Sequence, residues 1–275
     1  MIIGSFYTSD RYKSFMADFS QVADSLRRYG ARLDLGKVWC LHNWNLGIAT
    51  FIVTNFIIID FIKKHFWKAM ISICCDISPT ILTILFLSQY FGGLTLISEA
   101  LRCTNCLLRT THRGTNVCTK QLECLLHTQR ITAEIASEVL KSFGFVLFVE
   151  LFSIITASIT GLYESYLVYE GGSDSMKSQS MHLTLQAVWI ALHLYKSVVI
   201  LYTQSLLKNE IKQMELILCQ YSSKETFILM EKFSDQLLLQ ENMFKAWRII
   251  ELDLSFYAVL GGLTATYVIV LIQLN

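Results

Sequence analysis

The chain has few charged residues and almost no proline. Only 16% of its 275 residues are Asp, Glu, Lys or Arg, and Pro79 is the single proline. Soluble domains usually carry about 25% charged residues, so this composition disfavours a soluble globular domain. Because 53% of the residues are hydrophobic, the chain falls in the membrane-protein class.

Several other features are missing, and each absence excludes a class of protein. A net charge of +1 gives no basic surface of the kind that nucleic-acid binding needs. Residues 1–37 contain no apolar run long enough for a cleaved signal peptide. There is no Ser/His/Asp signature, no paired carboxylate motif and no glycine-rich phosphate loop. The sequence therefore predicts neither an enzyme nor a cofactor.

Five hydrophobic segments are each near or above the ~20 residues that a helix needs to cross a bilayer. They are roughly 38–62, 69–97, 143–168, 183–207 and 254–274. Pro79 falls within the second segment and predicts a bend there. No stretch shows sustained strand alternation, and no internal repeat is visible. The sequence predicts an all-α, polytopic transmembrane helix bundle.

The basic residues orient these helices, because cytoplasmic loops are enriched in Lys and Arg. Six lie in residues 1–37, six in 99–141 and six in 208–250. The opposite side has three at 63–68 and one at Lys177. Eighteen basic residues on one side and four on the other predict a cytoplasmic amino terminus and an extracellular carboxyl terminus.

This orientation divides the chain into four parts. They are a cytoplasmic amino-terminal segment (1–37), four transmembrane helices with a cytoplasmic loop at 99–141 (38–207), a cytoplasmic region (208–250) and a final transmembrane helix (251–275).

The cysteines of the loop 99–141 do not predict a metal site. Cys103 and Cys106 have the Cys-x-x-Cys spacing of many zinc sites. The second pair, Cys118 and Cys124, is separated by five residues, which fits no common zinc spacing. Since the loop faces a reducing cytosol, we expect ordinary thiols and no metal.

Polar groups recur at helical spacing in the last ten residues. Thr266, then Ile269 or Val270, and then Gln273 are three or four positions apart, so they share one helix face. Polar groups on a membrane helix are costly against lipid, and this face should therefore turn toward protein or water. A last membrane anchor that tolerates two polar residues is the plainer alternative.

The same stretch carries a resemblance to a known family. Thr266-Tyr267, five apolar residues and Gln273 resemble the signature that closes the last helix of insect gustatory receptors. The family usually has Phe after this Gln, where the chain has Leu274. The stretch from Ile250 to Gly262 is similar to that family too.

The resemblance implies a seven-helix chemoreceptor fold of inverted topology, which agrees with the orientation given by the charges. The chain would hold the last five helices of that fold, as an amino-terminally shortened isoform or an incomplete gene model. The resemblance also implies that residues 208–250 form a cytoplasmic anchor with most of the subunit contacts of a tetramer. A helix that lies on the membrane surface is the other interpretation of this region.

The resemblance further implies that the last helix lines the pore of a ligand-gated, nonselective cation channel. Pore-lining positions would be Thr266, Ile269, Val270 and Gln273. A ring of Ile269 or Val270 would close the pore by dewetting, and Gln273 would form a polar ring at the outer mouth. Sugar receptors of the family usually have Glu directly after the Thr-Tyr. Val268 stands there in this chain, which favours a bitter or other non-sugar tastant.

Two of the predicted membrane helices carry charges of opposite sign in their cytoplasmic halves, Glu150 and Lys196. Counted at ~1.5 Å per residue from the inner helix ends, Glu150 and Lys196 lie at comparable depth. Intramembrane charges usually pair or line water. We therefore predict a Glu150–Lys196 ion pair, with ligand coordination as the alternative.

The outer halves of the same helices carry aromatic and polar residues that suit a small-molecule pocket. The candidate ligand-binding residues are Tyr163, Glu164, Gln186 and Trp189. The same residue types suit an aromatic belt at the membrane interface. We expect His193, one helical turn from Trp189, to be a satisfied helix residue and not a ligand.

Taken together, these patterns predict a gustatory receptor subunit that spans the plasma membrane several times. Its partners would be lipid, a small-molecule tastant and other receptor subunits in a homo- or hetero-tetramer, with no nucleic acid. A G-protein-coupled receptor is one alternative, and it would place the carboxyl terminus inside the cell. A non-conducting regulatory subunit is the other, and it would give no ligand-evoked current on its own.

Overall fold

The computed structural model describes residues 10–63, 71, 75, 77–113, 119–170, 176–220, 245–246, 250–251 and 255–274. In chain order the elements are α1 (Asp10–Arg28), α2 (Leu35–Lys63), α3 (Ser78–Arg113), α4 (Thr119–Glu170), α5 (Met176–Cys219), β1 (Lys245–Ala246), β2 (Ile250–Glu251) and α6 (Ser255–Leu274). The described chain is helical apart from short connections and two strands of two residues each. The predicted all-α, polytopic fold class is confirmed.

Among the described residues, four helices are long and apolar enough to cross a membrane. The candidate spans are Leu35–Ile62, Ser78–Thr110, Lys120–Glu170 and Leu183–Ile217. The apolar part of α6, Gly261–Gln273, is shorter than these four spans. The whole of α6 has 20 residues, which is the length that one bilayer crossing takes.

Three helices are much longer than a bilayer is thick. α3 has 36 residues, α4 has 52 and α5 has 44, which corresponds to about 54, 78 and 66 Å at 1.5 Å per residue. The predicted loop 99–141 is therefore the end of α3 and the beginning of α4. Its sequence lacks proline and has one glycine, so nothing in it interrupts a helix before residue 114.

By internal contacts the chain divides into two compact units. Unit 1 comprises Met1–Cys40, Tyr90–Phe145 and Tyr202–Glu251, and unit 2 comprises Leu41–Gln89, Val146–Leu201 and Leu252–Asn275. Eighteen of the 23 Lys and Arg residues fall in unit 1, and fifteen of the 22 Asp and Glu residues do as well. Unit 1 thus has the composition of a water-exposed bundle, whereas unit 2 has that of a membrane-embedded one.

Unit 1 has an apolar core to which hydrogen-bonded polar groups add specific links. Gln204 Nε2 donates to the Tyr90 hydroxyl oxygen at 3.0 Å. Asn105 Nδ2 donates to the backbone carbonyl of Glu210 at 2.9 Å. These bonds join α3 to α5 beside a core of almost fully buried residues: Val22, Leu26, Leu94, Ile97, Leu101, Leu108, Leu122, Leu125, Leu207 and Met214.

Unit 2 has its own smaller core, which α2, α5 and the beginning of α3 share. Tyr195 on α5 reinforces it, because its hydroxyl donates to the backbone carbonyl of Asn45 on α2 at 2.7 Å. The buried residues of this core are Ala49, Val53, Phe56, Ile77, Ile84, Leu185 and Leu192.

Pro79 lies in the first turn of α3, which begins at Ser78. Cys75 and Ile77, just before it, have π-helical geometry. Proline has no amide N–H, and its ring crowds the carbonyl four residues back, which here belongs to Cys75. A widened turn relieves that crowding. The described residues just before Pro79 thus have π-helical geometry at the place where the sequence predicts a bend.

The sequence did not predict the two strands. β1 pairs with β2 in an antiparallel ladder, with Lys245 opposite Glu251 and Ala246 opposite Ile250. Strands of two residues are too short to show an alternating pattern. Residues 221–244, which make up about half of the region 208–250, lie outside the described part of the chain.

Candidate functional site

The last helix, α6, has one side that packs against the rest of the chain. Of the side chains that the structure describes in this helix, only Thr264 is buried, with 8% of its surface exposed. Val268 and Leu271, which lie four and seven positions further on, are half-buried. Residues at these spacings share one face of a helix, so they define the packed side of α6.

The four predicted pore-lining residues lie on the opposite side. At 3.6 residues per turn, Thr266, Ile269, Val270 and Gln273 fall within an arc of about 100° that faces away from Thr264. All four are exposed: Ile269 keeps 54% of its surface and Val270 keeps 43%. The structure thus leaves this face uncovered by the described part of the chain.

The signature residues differ in how their polar groups are satisfied. The Thr266 hydroxyl donates to the backbone carbonyl of Gly262 at 2.8 Å, within the same helix. Its proton therefore needs no partner from elsewhere, and its oxygen remains free to accept. Tyr267 is exposed about 60° beyond one edge of the arc, and Gln273 is exposed near the end of α6.

Glu150 on α4 and Lys196 on α5 form an ion pair. Lys196 Nζ donates to Glu150 Oε1 at 2.7 Å, and both side chains are buried. A charge-assisted bond of this length is among the strong hydrogen bonds in proteins. Both residues lie within candidate membrane spans, where an unpaired charge would be costly.

The ion pair forms part of the wall of a cavity in unit 2. The cavity has a volume of about 700 Å³ and is lined mainly by α4 and α5, with residues of α2 and the beginning of α3. Drug-sized ligands occupy clefts of about 300–1,000 Å³. The volume therefore suits a small organic molecule.

Two polar contacts join α4 and α5 along this cavity. One is the Glu150–Lys196 pair; in the other, Gln186 Nε2 donates to the carboxylate of Glu164. Glu150 and Glu164 are fourteen residues apart, so the two contacts are separated by about 21 Å along α4. The cavity runs between them.

An aromatic wall lies between the two polar contacts. The Trp189 ring is 5.0 Å from the ring of Phe56 and 4.9 Å from that of His193, measured between centroids. His193 contacts the indole edge-on and is only 3% exposed. Neither of its ring nitrogens has a hydrogen-bond partner among the described residues. We predicted that His193 would have its hydrogen bonds satisfied, and this prediction is wrong. Its ring packs against the indole of Trp189 instead of a hydrogen-bonding group.

Three of the four predicted ligand-binding residues line the cavity. They are Glu164, Gln186 and Trp189. Tyr163 is not among the lining residues, since it lies one position before Glu164 and so about 100° around α4. Its half-buried ring belongs to a neighbouring face of the helix.

Sequence reasoning missed a row of small hydroxyl residues on the cavity wall. Ser153, Thr156 and Thr160 recur every three to four positions on α4 and line the cavity. Their helical spacing could have been noticed in the sequence. Polar residues scattered at random along an apolar helix would not all fall on one face.

Gly161 lets α4 and α5 approach closely beside the cavity. A Cβ atom added there would lie 3.2 Å from Ile190 Cγ1. An added Cβ at Gly93 on α3 would meet nothing within 4 Å.

We expect the variant Gly161→Ala to be less stable than Gly93→Ala by about 1 kcal/mol. Both substitutions gain helix propensity, but only the first crowds a neighbouring side chain. Thermal unfolding of the two variants in lipid nanodiscs measures the difference. Equal stability would mean that Ile190 moves aside at no cost.

The described residues contain no group of three or more His, Cys, Asp or Glu side chains placed to hold a metal ion. Cys118, from the cysteine pattern of residues 103–124, lies outside the described part of the chain.

Comparison with known protein families identifies a relationship over nearly the whole chain. A protein-family model described as 7tm Chemosensory receptor matches residues 1–274. No curated protein matches the chain. The matched residues include the whole of unit 1, the cavity of unit 2 and the exposed face of α6.

Proposed function

Because the chain belongs to the 7tm chemosensory receptor family, we propose that it is a gustatory receptor subunit of a ligand-gated, nonselective cation channel. Chemosensory receptors are not an enzyme family, and the apolar helices α2–α5 fit a membrane location. The ligand would be a bitter or other non-sugar tastant, since Val268 and not Glu follows Thr266-Tyr267.

The exposed face of α6 carries this proposal. Apolar Ile269 and Val270 lie between the hydroxyl of Thr266 and the amide of Gln273, and no described residue of the chain covers them. A face with polar ends is poorly suited to lipid. It is well suited to surround an aqueous pore together with the same face of other subunits. A tetramer would place four such faces around one axis.

The charges of unit 1 support a cytoplasmic position for this unit. It contains eighteen of the 23 basic residues, and basic residues mark the cytoplasmic side of membrane proteins. In this proposal unit 1, with residues 208–250, provides the anchor through which subunits assemble. The amino terminus lies in the cytoplasm and the carboxyl terminus, after α6, lies outside.

The cavity between α4 and α5 is the proposed tastant site. It combines an apolar and aromatic wall with a few directing polar groups, which is the usual build of a small-molecule pocket. A ligand that fits one conformation of unit 2 better than another shifts the population toward that conformation. Channel opening would follow from such a shift.

A carboxyl-terminal epitope tag tests the topology on which the proposal depends. We expect antibody to label the tag on intact, unpermeabilised cells as strongly as on permeabilised cells, because residue 275 would lie outside. A cytoplasmic tag at the amino terminus is the matched control and should label only after permeabilisation.

Labelling of the carboxyl-terminal tag only after permeabilisation, in a protein shown to reach the surface, would overturn the channel proposal. It would favour a G-protein-coupled receptor instead. Surface labelling without any ligand-evoked current would favour a non-conducting regulatory subunit.

A further inference from the structure

We propose that the cavity of unit 2 binds an organic cation, namely a protonated amine on an apolar body, with Glu164 as its counter-ion. This inference deepens the proposed function, because it names the chemical class of the ligand at the tastant site. It rests on the charge balance of the cavity, on which hydrogen-bonding groups remain free, and on the aromatic wall.

The charged groups that line the cavity do not balance. Glu150 and Lys196 neutralise each other through their 2.7 Å bond. Glu164 is the other carboxylate on the described part of the lining, and no Lys or Arg side chain that the structure describes lies within ion-pair distance of it. The described lining of the cavity therefore has a surplus of one negative charge.

Glu164 also has unused capacity to accept hydrogen bonds. A carboxylate offers about four acceptor sites, and the amide of Gln186 uses one of them. The next acidic group along the lining of α4, Glu150, is about 21 Å away. A half-buried carboxylate with one neutral partner is stabilised by a cation that takes the remaining sites.

Several hydrogen-bond donors of the described lining are already used, and acceptor sites remain beside them. Lys196 donates to Glu150, and the amide of Gln186 donates to Glu164. The hydroxyls of Thr83 and Thr156 each donate at 3.0 Å to a backbone carbonyl four residues earlier in their own helix. Their oxygens can still accept. The cavity thus offers acceptor sites to a ligand that donates hydrogen bonds, as an ammonium group does.

The aromatic wall lies next to the surplus carboxylate. Trp189 is three residues after Gln186 on α5, so its indole is the neighbouring group on the same face. Aromatic faces attract cations within about 6 Å of the ring centroid, and tryptophan does so best. The paired rings of Trp189 and Phe56 would hold the apolar body of the ligand while its ammonium group meets Glu164.

Binding of three molecules with one carbon skeleton tests the ligand class. The probes are 4-phenylbutylamine, the neutral 4-phenylbutanol and the anionic 4-phenylbutyrate, each titrated onto the full chain in lipid nanodiscs. We expect the amine to bind at least tenfold more tightly than the alcohol, and the carboxylate to bind most weakly. The wild-type protein alone suffices for this comparison.

The variant Glu164→Gln tests the counter-ion. It keeps the size of the side chain and should remove the tenfold preference for the amine, while the Kd of the alcohol stays within about twofold. Glu170→Gln is the matched control, since Glu170 lies on the same helix and is exposed but does not line the cavity. It should leave the preference intact.

Equal Kd values for amine and alcohol on the wild-type chain would overturn the inference, as would an unchanged preference in Glu164→Gln. Current recording separates this outcome from failure of the proposed function. Neutral compounds that evoke current unaffected by Glu164→Gln would leave the receptor function intact and remove the ligand class. Amine-selective binding without any current would support the ligand class and contradict the channel.

Discussion

Replacing Lys196 with methionine is expected to lower the free energy of unfolding by about 3–5 kcal/mol. The substitution leaves the buried Glu150 carboxylate without the ammonium group that now donates to it at 2.7 Å. A buried charge that loses its partner keeps its full desolvation cost and loses its compensation. The effect should be larger than that of any other single substitution considered above.

A double variant shows whether the ion pair itself is responsible. Glu150→Gln combined with Lys196→Met removes both charges, so it should recover most of the lost stability, because replacing both members of a buried pair is often neutral. Lys212→Met is the matched control: Lys212 is exposed on the same helix, and its loss should cost less than about 0.5 kcal/mol.

Unfolding of these four proteins, wild type included, and of the single variant Glu150→Gln can be followed in lipid nanodiscs. If the double variant is destabilised by the sum of the two single effects, the charges do not depend on each other, and the pair is not what holds α4 and α5 together here.

Replacing Val270 with threonine is expected to raise the ligand-independent current roughly tenfold, provided that α6 lines the pore. A narrow apolar constriction blocks ions because water leaves it. Threonine has nearly the shape of valine but adds a hydroxyl, and in a tetramer four hydroxyls would stabilise water at the gate. Ile269→Thr tests the other candidate position in the same way.

The packed side of α6 supplies an unusually close control. Val268→Thr is the same substitution two residues away, on the side of the helix that carries buried Thr264. Its basal current should stay near that of the wild type at equal surface expression. Equal basal currents in Val268→Thr and Val270→Thr would contradict a pore along the exposed face of α6.

The two predictions test different parts of the molecule. The Lys196 variant concerns the stability of unit 2 and would hold for any function of the chain. The Val270 variant concerns what the exposed face of α6 does in an assembly, so it depends on the proposed channel. Stable Val270→Thr and Ile269→Thr variants that both lack a gain of basal current would contradict the proposed gate and leave the fold unchanged.

The amino-acid sequence by itself determined the helical membrane class. Lipid offers no hydrogen bonds to a backbone, so a run of about 20 apolar residues has few alternatives to a helix. The family match agrees with the resemblance that Thr266, Tyr267 and Gln273 carry in the last helix. The depths of Glu150 and Lys196 could be counted along their helices, because helix geometry is regular and the costs of charge in lipid are large.

Other features depend on how each helix is rotated about its axis and on which helices it packs against. The position of a residue along the chain does not reveal either. Counting residues could not show that Tyr163 misses the cavity while Glu164 lines it, because adjacent residues point about 100° apart and the rotation of α4 is set by its neighbours. Nor could it show that His193 meets the edge of Trp189 instead of a hydrogen-bond partner.

The face of α6 shows the same division. Spacing alone placed Thr266, Ile269, Val270 and Gln273 together, because a helix has a fixed period. Which side of α6 is covered was decided by the tertiary structure, which buries Thr264 and leaves the opposite arc exposed. Local geometry follows from the order of residues along the chain, whereas the choice of packed face follows from contacts between residues that are distant in sequence.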